Sequence, residues 1–126
     1  MLRACRRVLR RGGRIALSVI ERAPGLSRAT RTRIADAEPR AVGTRKPYPD
    51  LLAGAGFGDI GQRDATAEYL ETSRAWLAMT EPLRDEVAAI DGEDAVVQKL
   101  LDLRQSIEAI QSGWLFRRLY WARVID

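Results

Sequence analysis

Leu2, Cys5 and Leu9 recur at steps of three and four residues, so they share one face of a helix over 1–11. Arg3, Arg6, Arg7, Arg10 and Arg11 occupy the rest of its surface. Gly12 or Gly13 supplies the left-handed conformation that ends such a helix. Residues 15–20 carry apolar side chains on both faces, interrupted only by Ser18, and predict a strand over 14–20. A strand apolar on both faces is expected to be central and parallel, with helices covering it. A helix feeding such a strand is an α/β signature.

The polar stretch from Glu21 to Lys46 has few apolar anchors beyond Leu26, Ile34 and Val42. Ser27 to Ala37 predicts a short helix within it, capped by Ser27. The remainder is a long connection of the kind that carries function. Pro47 to Asp50 closes it in extended form, and Pro49 suits the first turn of a helix running to Ala55. Gly56 caps that helix and Phe57 folds back onto it. Residues 59–66 alternate weakly and read as an edge strand.

From Tyr69 to Ser112 the pattern is helical. One helix is expected over Ser73–Met79, and a second from Pro82 to near Ile90. A third is expected after Asp91, capped by it, with Asp94 three residues on. Val96, Leu100, Leu103, Ile107 and Ile110 form the apolar stripe of this third helix, which Gly113 ends. Leu119 to Ile125 reads as a last strand, with Leu119, Trp121 and Arg123 on one face and Tyr120, Ala122 and Val124 on the other.

Composition narrows the chemistry. The 126 residues fit one domain, and 46% hydrophobic with 30% charged content is that of a soluble globular protein. One cysteine and no histidine exclude an internal disulfide and a Cys/His metal site, and remove the commonest general base. Cys5, on the apolar helix face, is a packing residue. No apolar run reaches the roughly 18 residues of a membrane span. The arginine-rich start followed by apolar residues has the outline of a targeting segment but no cleavage pattern, so it is read as structure and the protein as cytoplasmic. Residues 1–50 hold 13 Arg/Lys against 4 Asp/Glu, and residues 51–126 hold 8 against 13. The basic first half invites nucleic acid or an acidic partner, but it lacks the interleaved aromatics on which bases stack, which disfavours nucleic acid.

Three segments carry a family resemblance. Val8-Leu9-Arg10-Arg11-Gly12-Gly13-Arg14-Ile15-Ala16-Leu17 resembles the "R-V-L-K-P-G-G" segment that joins the fourth helix to the fifth strand in class I S-adenosylmethionine-dependent methyltransferases, with Arg11 in place of the usual proline. Tyr48-Pro49-Asp50-Leu51-Leu52-Ala53-Gly54-Ala55-Gly56-Phe57 resembles the family's next helix, leading into strand six. Gly113 to Arg123 is similar to the run into the last strand. The matches cover nearly the whole chain but only the second half of the family's fold. The resemblance implies a partial Rossmann-like α/β fold in a single domain over 1–126. Its three strands would be ordered first-last-second with the last antiparallel, and a helical cap at about 69–112 would lie between strands two and three. In the complete fold it implies S-adenosylmethionine as cofactor.

The family's cofactor rests on a glycine-rich turn after the first strand, and no G-x-G-x-G follows any expected strand here. Gly54-Ala55-Gly56-Phe57-Gly58 follows a helix and precedes a strand, the reverse context. The chain alone is therefore expected to hold no cofactor, and no catalytic, cofactor-binding or metal residues are assigned. Met1 would fall inside the family's mid-fold helix, so a truncated, split or late-started gene product is expected. The resemblance places Glu21 and Arg22 at the active-site end of the first strand, as substrate-side residues; solvated loop charge is the plainer alternative. Tyr48, Tyr69, Trp76 and Trp114 are candidates to line an apolar pocket under the cap, with core packing as the alternative. Arg117 and Arg118 read as a solvated pair.

The sequence thus points to the substrate side of a small-molecule methyltransferase, inactive alone and of low stability. Its expected partner is a separately encoded N-terminal half, or a second copy paired through the bare edge of the first strand. A basic binding module and a dimerising structural remnant are the alternatives. No membrane association is expected.

Overall fold

The computed structural model describes residues 1–125. Three strands and six helices follow in the order α1 (Leu2–Val8), β1 (Arg14–Arg22), α2 (Arg28–Ala37), α3 (Tyr48–Gly54), β2 (Phe57–Asp64), α4 (Thr66–Thr80), α5 (Arg84–Asp91), α6 (Glu93–Gln111) and β3 (Leu115–Val124). The sheet order is β1-β3-β2, and β3 runs antiparallel to both neighbours. This is the order and orientation expected from the sequence.

Local signals explain most boundaries, and several differ from the expected ones. α1 stops at Val8 because Leu9 turns extended; Gly12, at φ 76°, builds the following turn rather than capping the helix, and its N–H donates to the Val124 carbonyl. Ser27 caps α2 as expected, its hydroxyl accepting from the Thr30 N–H at 3.1 Å. β2 runs from Phe57, two residues early, and ends sooner because the Asp64 carboxylate accepts from the Thr66 N–H at 2.8 Å and starts α4 there. α4 therefore begins seven residues ahead of the expected Ser73. Asp91 closes α5 instead of capping α6, whose N-cap is Gly92. β3 starts four residues before Leu119, paired along its full length with β1.

Two hydrophobic cores result. On one sheet face Val19, Tyr120, Ala122, Val124 and Phe57 pack with Tyr48 and Leu52 of α3, and Leu2, Cys5 and Leu9 of α1 close over them. The second core lies at the carboxyl end of β1, where Ile20 and Leu115 meet Ile34, Tyr69, Ala109 and Ile110 from α2, α4 and α6. Val96, Leu100 and Ile110 of the expected α6 stripe are buried. Burying such side chains stabilises by roughly 1.5–3 kcal/mol each.

The opposite sheet face is open over its lower half. Arg14, Ala16 and Ser18 are exposed, and Trp121 is 47% exposed. β1 is therefore an edge strand, as the expected strand order has it, covered on one face over its amino half and on both at its carboxyl end; its neighbour is antiparallel β3, not the parallel strands its apolar pattern predicts. The indole of Trp121 lies directly over Gly61, where a Cβ would come within 2.2 Å of the ring. Beside it a bulge shifts the β2 register, with Asp59 at φ 51° and paired to Arg123.

Leu52 is fully buried and Ile90 is 85% exposed. Leu52→Ala is expected to lower the unfolding free energy by about 2–5 kcal/mol in urea titration, and Ile90→Ala by no more than about 0.5 kcal/mol.

Candidate functional site

The carboxyl end of β1 is where the chain gathers its polar groups. Beyond Arg22 it turns through Gly25 at φ 75°, forms α2, and returns alongside β1. The Val42 N–H donates to the Ile20 carbonyl and the Arg22 N–H to the Val42 carbonyl, both at 2.9 Å. This short parallel bridge lays residues 43–47 across the strand end. On the other side of Glu21, antiparallel pairing brings up Phe116, with Arg118 two residues along. Between them opens a cavity of ≈ 560 Å³, floored by Glu21, Arg22, Phe116 and Arg118 and walled by Arg31 and the 43–47 segment. Its size suits a small ligand.

Glu21 is only 8% exposed, and its Oε2 accepts from the Tyr120 hydroxyl at 2.8 Å. The Arg118 Nη1 lies 3.8 Å away, and the Arg118 guanidinium sits 4.4 Å above the Phe116 ring. Burial raises the Tyr120 phenol above its ordinary pKa, and its hydrogen bond to Glu21 adds to the rise. Tyr48, stacked on Tyr120 at 5.2 Å between centroids, is raised by burial and by the charge of Glu21. Both phenols are protonated at neutral pH, and that of Tyr120 acts as a donor, not a base.

A second cavity of ≈ 560 Å³ lies between the end of α2 and the facing sides of α4 and α6. Glu38, 7% exposed, accepts from Arg40 at 2.8 and 2.9 Å and from the Tyr69 hydroxyl at 3.2 Å. Burial alone would raise the Glu38 carboxyl; the hydrogen bonds and charge of Arg40, with Tyr69, outweigh it and hold the group below the usual glutamate range. Tyr69 is pushed far up, by burial first and then by Glu38. Arg117 donates to the Ser18 hydroxyl at 2.6 Å and lies 5.9 Å from the Tyr69 ring.

The six residues singled out from the sequence therefore fall in four places. Glu21 and Arg22 line the first cavity, and Tyr69 and Trp76 the second. Tyr48 belongs to the first core and Trp114 packs against the second, so neither lines a pocket under the cap. No single apolar pocket gathers the four aromatics; the cavity beneath α4 and α6 is lined by Glu38, Arg40, Lys99 and Asp102 as well. Arg117 and Arg118 are each held by specific partners rather than forming a solvated pair. Glu38 was not signalled by any spacing, because Tyr69, which donates to it, is 31 residues away. The alternation of β3 could have assigned Arg118 to the Tyr120 face.

Among the described residues no group of three His, Cys, Asp or Glu side chains is placed to hold a metal. Among the described residues the one G-x-G-x-G run, Gly54, Gly56 and Gly58, spans the end of α3 and the start of β2 rather than following a strand. There the space a Cβ would fill at Gly58 is taken by Ile125, and at Gly56 by Arg6. What the cavity at the end of β1 presents is charge and hydrogen-bond donors.

No protein-family profile matches this chain and no curated protein matches it in sequence. Solved structures do. The Haemonchus contortus phosphoethanolamine N-methyltransferase 2, in complex with phosphomonomethylethanolamine and S-adenosylhomocysteine, superposes on 99% of this chain with TM-score 0.86 at 14% identity. A cyclopropane synthase from Mycobacterium tuberculosis covers 97% with TM-score 0.83 at 15% identity. A protein from Galdieria sulphuraria, assigned as a sarcosine dimethylglycine methyltransferase, covers 99% with TM-score 0.84 at 17% identity. The chain spans 29%, 48% and 46% of these proteins, respectively. It thus has part of the fold of class I S-adenosylmethionine-dependent methyltransferases.

The lowered Glu38 carboxyl makes stability depend on acid. Its contribution is complete above the ordinary glutamate pKa and is lost as pH falls through the lowered folded value. Glu38→Gln is expected to melt lower than the parent at pH 6 and to lose less stability between pH 6 and pH 3, followed by circular dichroism (pH values set about the ordinary glutamate pKa, roughly 4.3). Parallel pH profiles would contradict this role.

Proposed function

We propose that this chain is the C-terminal, substrate-side part of an S-adenosylmethionine-dependent methyltransferase acting on a small molecule, and that it transfers no methyl group alone. The observation that carries the reading is the outer edge of β1. The Ile20 carbonyl and Arg22 N–H point away from β3, since Val42 takes them. Strand alternation then puts the N–H and C=O groups of Arg14, Ala16 and Ser18 on the same outer side. That row, beside the exposed face carrying Trp121, is the unfinished margin of a wider sheet.

The proposed occupant of this margin is an N-terminal half bearing the glycine-rich cofactor turn. Pairing there would bring a bound methyl donor to the carboxyl end of β1, next to the cavity of Glu21, Arg22 and Arg118. Methyl transfer of this kind depends on positioning donor against acceptor, and a chain without a fitting cofactor site cannot supply the donor. The methyltransferases among the structural neighbours, one of them holding S-adenosylhomocysteine, support this reading. No helix among the described residues is long and apolar enough to cross a membrane, and a cytoplasmic location accords with the reading. A second copy of the chain could instead pair along the same margin, as a dimeric remnant.

Isothermal titration with S-adenosylmethionine tests the proposal. No heat of binding is expected for the chain alone, and binding in the micromolar range once the polypeptide encoded immediately upstream is co-purified with it. Micromolar binding by the chain alone, or a stable homodimer that excludes the upstream polypeptide, would contradict it.

A further inference from the structure

We propose that the cavity at the carboxyl end of β1 binds an oxyanion, and that the methyl acceptor therefore carries a phosphate or carboxylate group. This deepens the reading above and rests on it for the word acceptor; the anion site itself does not depend on methyl transfer.

The charge of the lining carries the inference. Arg22, Arg31, Arg45, Lys46 and Arg118 surround the cavity, and Glu21 is the one carboxylate among them. Glu21 is already engaged by the Tyr120 hydroxyl at 2.8 Å, and Arg118 is its distant ion-pair partner at 3.8 Å. Arg22, Arg31, Arg45 and Lys46 make no ion pair with any described residue. The second cavity is different in kind, because its Arg40 is spent on Glu38 and its Lys99 is accompanied by Asp102. Like charges brought together in a concavity repel, and an anion relieves that repulsion while gaining charge-assisted hydrogen bonds.

The geometry is built rather than incidental. The cations come from four separate segments, namely the end of β1, α2, the 43–47 segment and β3. The Val42 bridge fixes the 43–47 segment against the strand end. Arg22 folds across Gly43, where a Cβ would meet its Nη2 at 2.7 Å, so the missing side chain is what lets the guanidinium lie there. One face of the Phe116 ring, the only aromatic of the cavity lining, is covered by Arg118 at 4.4 Å, which takes that face from a stacking base. A small oxyanion therefore fits the cavity better than a nucleic acid, whose single strands bind through stacking platforms as well as charge.

The test is titration of the purified chain, without cofactor, followed by NMR of the backbone amides and arginine Nε–H groups. The probes are inorganic phosphate and, separately, acetate, each against sodium chloride of equal ionic strength. Saturable shifts confined to residues 22, 31, 43–46 and 118 are expected, and the tighter of the two probes distinguishes a phosphate-bearing from a carboxylate-bearing acceptor. Arg22→Gln is expected to weaken binding by roughly tenfold. Arg45→Gln, in an exposed segment whose change leaves the fold intact, is expected to weaken it in the same direction. Non-saturable shifts with both probes, or shifts spread equally over the arginines of α1, would overturn the proposal. So would a single-stranded oligothymidylate that binds the cavity and displaces phosphate through contacts extending onto α1. Saturable phosphate binding together with failed methyl transfer by the completed protein would leave the anion site standing and remove the methyltransferase reading.

Discussion

Every strand-to-strand hydrogen bond in this sheet passes through β3. The last segment of the chain is inserted between the first strand and the second, antiparallel to both. β1 and β2 do not pair with each other, so the sheet joins these two earlier segments only through β3. The constraint decides the placement of the side chains as well. With Tyr120, Ala122 and Val124 held against α1 and α3, Trp121 and Arg123 have to face the open side. The same alternation brings Arg118 over the Glu21 cavity and Arg117 under α4. A sheet closed by its most distant segment forms through non-local contacts, and the loop-closure entropy is offset late.

The two buried carboxylates show how the carboxyl end of β1 stays intact while carrying charge. Glu21 is satisfied by Tyr120 from the neighbouring strand, and Glu38 by Arg40 and Tyr69. No buried side-chain polar atom among the described residues lacks a partner. The first pair ties the end of β1 to β3, and the second ties the segment after α2 to α4, which gives an otherwise polar connection a fixed course. Arg22, Arg31, Arg45 and Lys46 around the first cavity stand outside these pairs.

Much of this was legible in the chain. The α6 stripe and the Ser27 cap locate their helices and the alternation of β3 sorts its two faces, while sheet order and orientation follow only from the family resemblance of three segments. Boundaries were less legible where a side chain intervenes. The Asp64–Thr66 contact starts α4 early, and the extended Leu9 stops α1 early, and hydrophobic periodicity registers neither. The environment of β1 was misread because Ala16 and Ser18 look like positions under a second layer, while the described residues supply no such layer. For the site, it is the family resemblance that singles out Glu21 and Arg22, at the carboxyl end of β1. The aromatics were not sorted, because a ring's spacing does not say whether it fills a core, as Tyr48 does, or borders a cavity, as Trp76 does. Glu38 and Arg40 gained meaning only from contacts that tertiary folding creates.

The central claim is that the outer margin of β1 is the open edge of an incomplete sheet. Amide hydrogen exchange along β1 in the isolated chain tests it most directly. The account predicts alternation: slow exchange at Ile15, Leu17 and Val19, whose amides face β3, and fast exchange at Ala16 and Ser18, whose amides face outward. Uniform protection from Ile15 to Val19 would mean that the margin is already paired in the chain by itself, and would contradict the account.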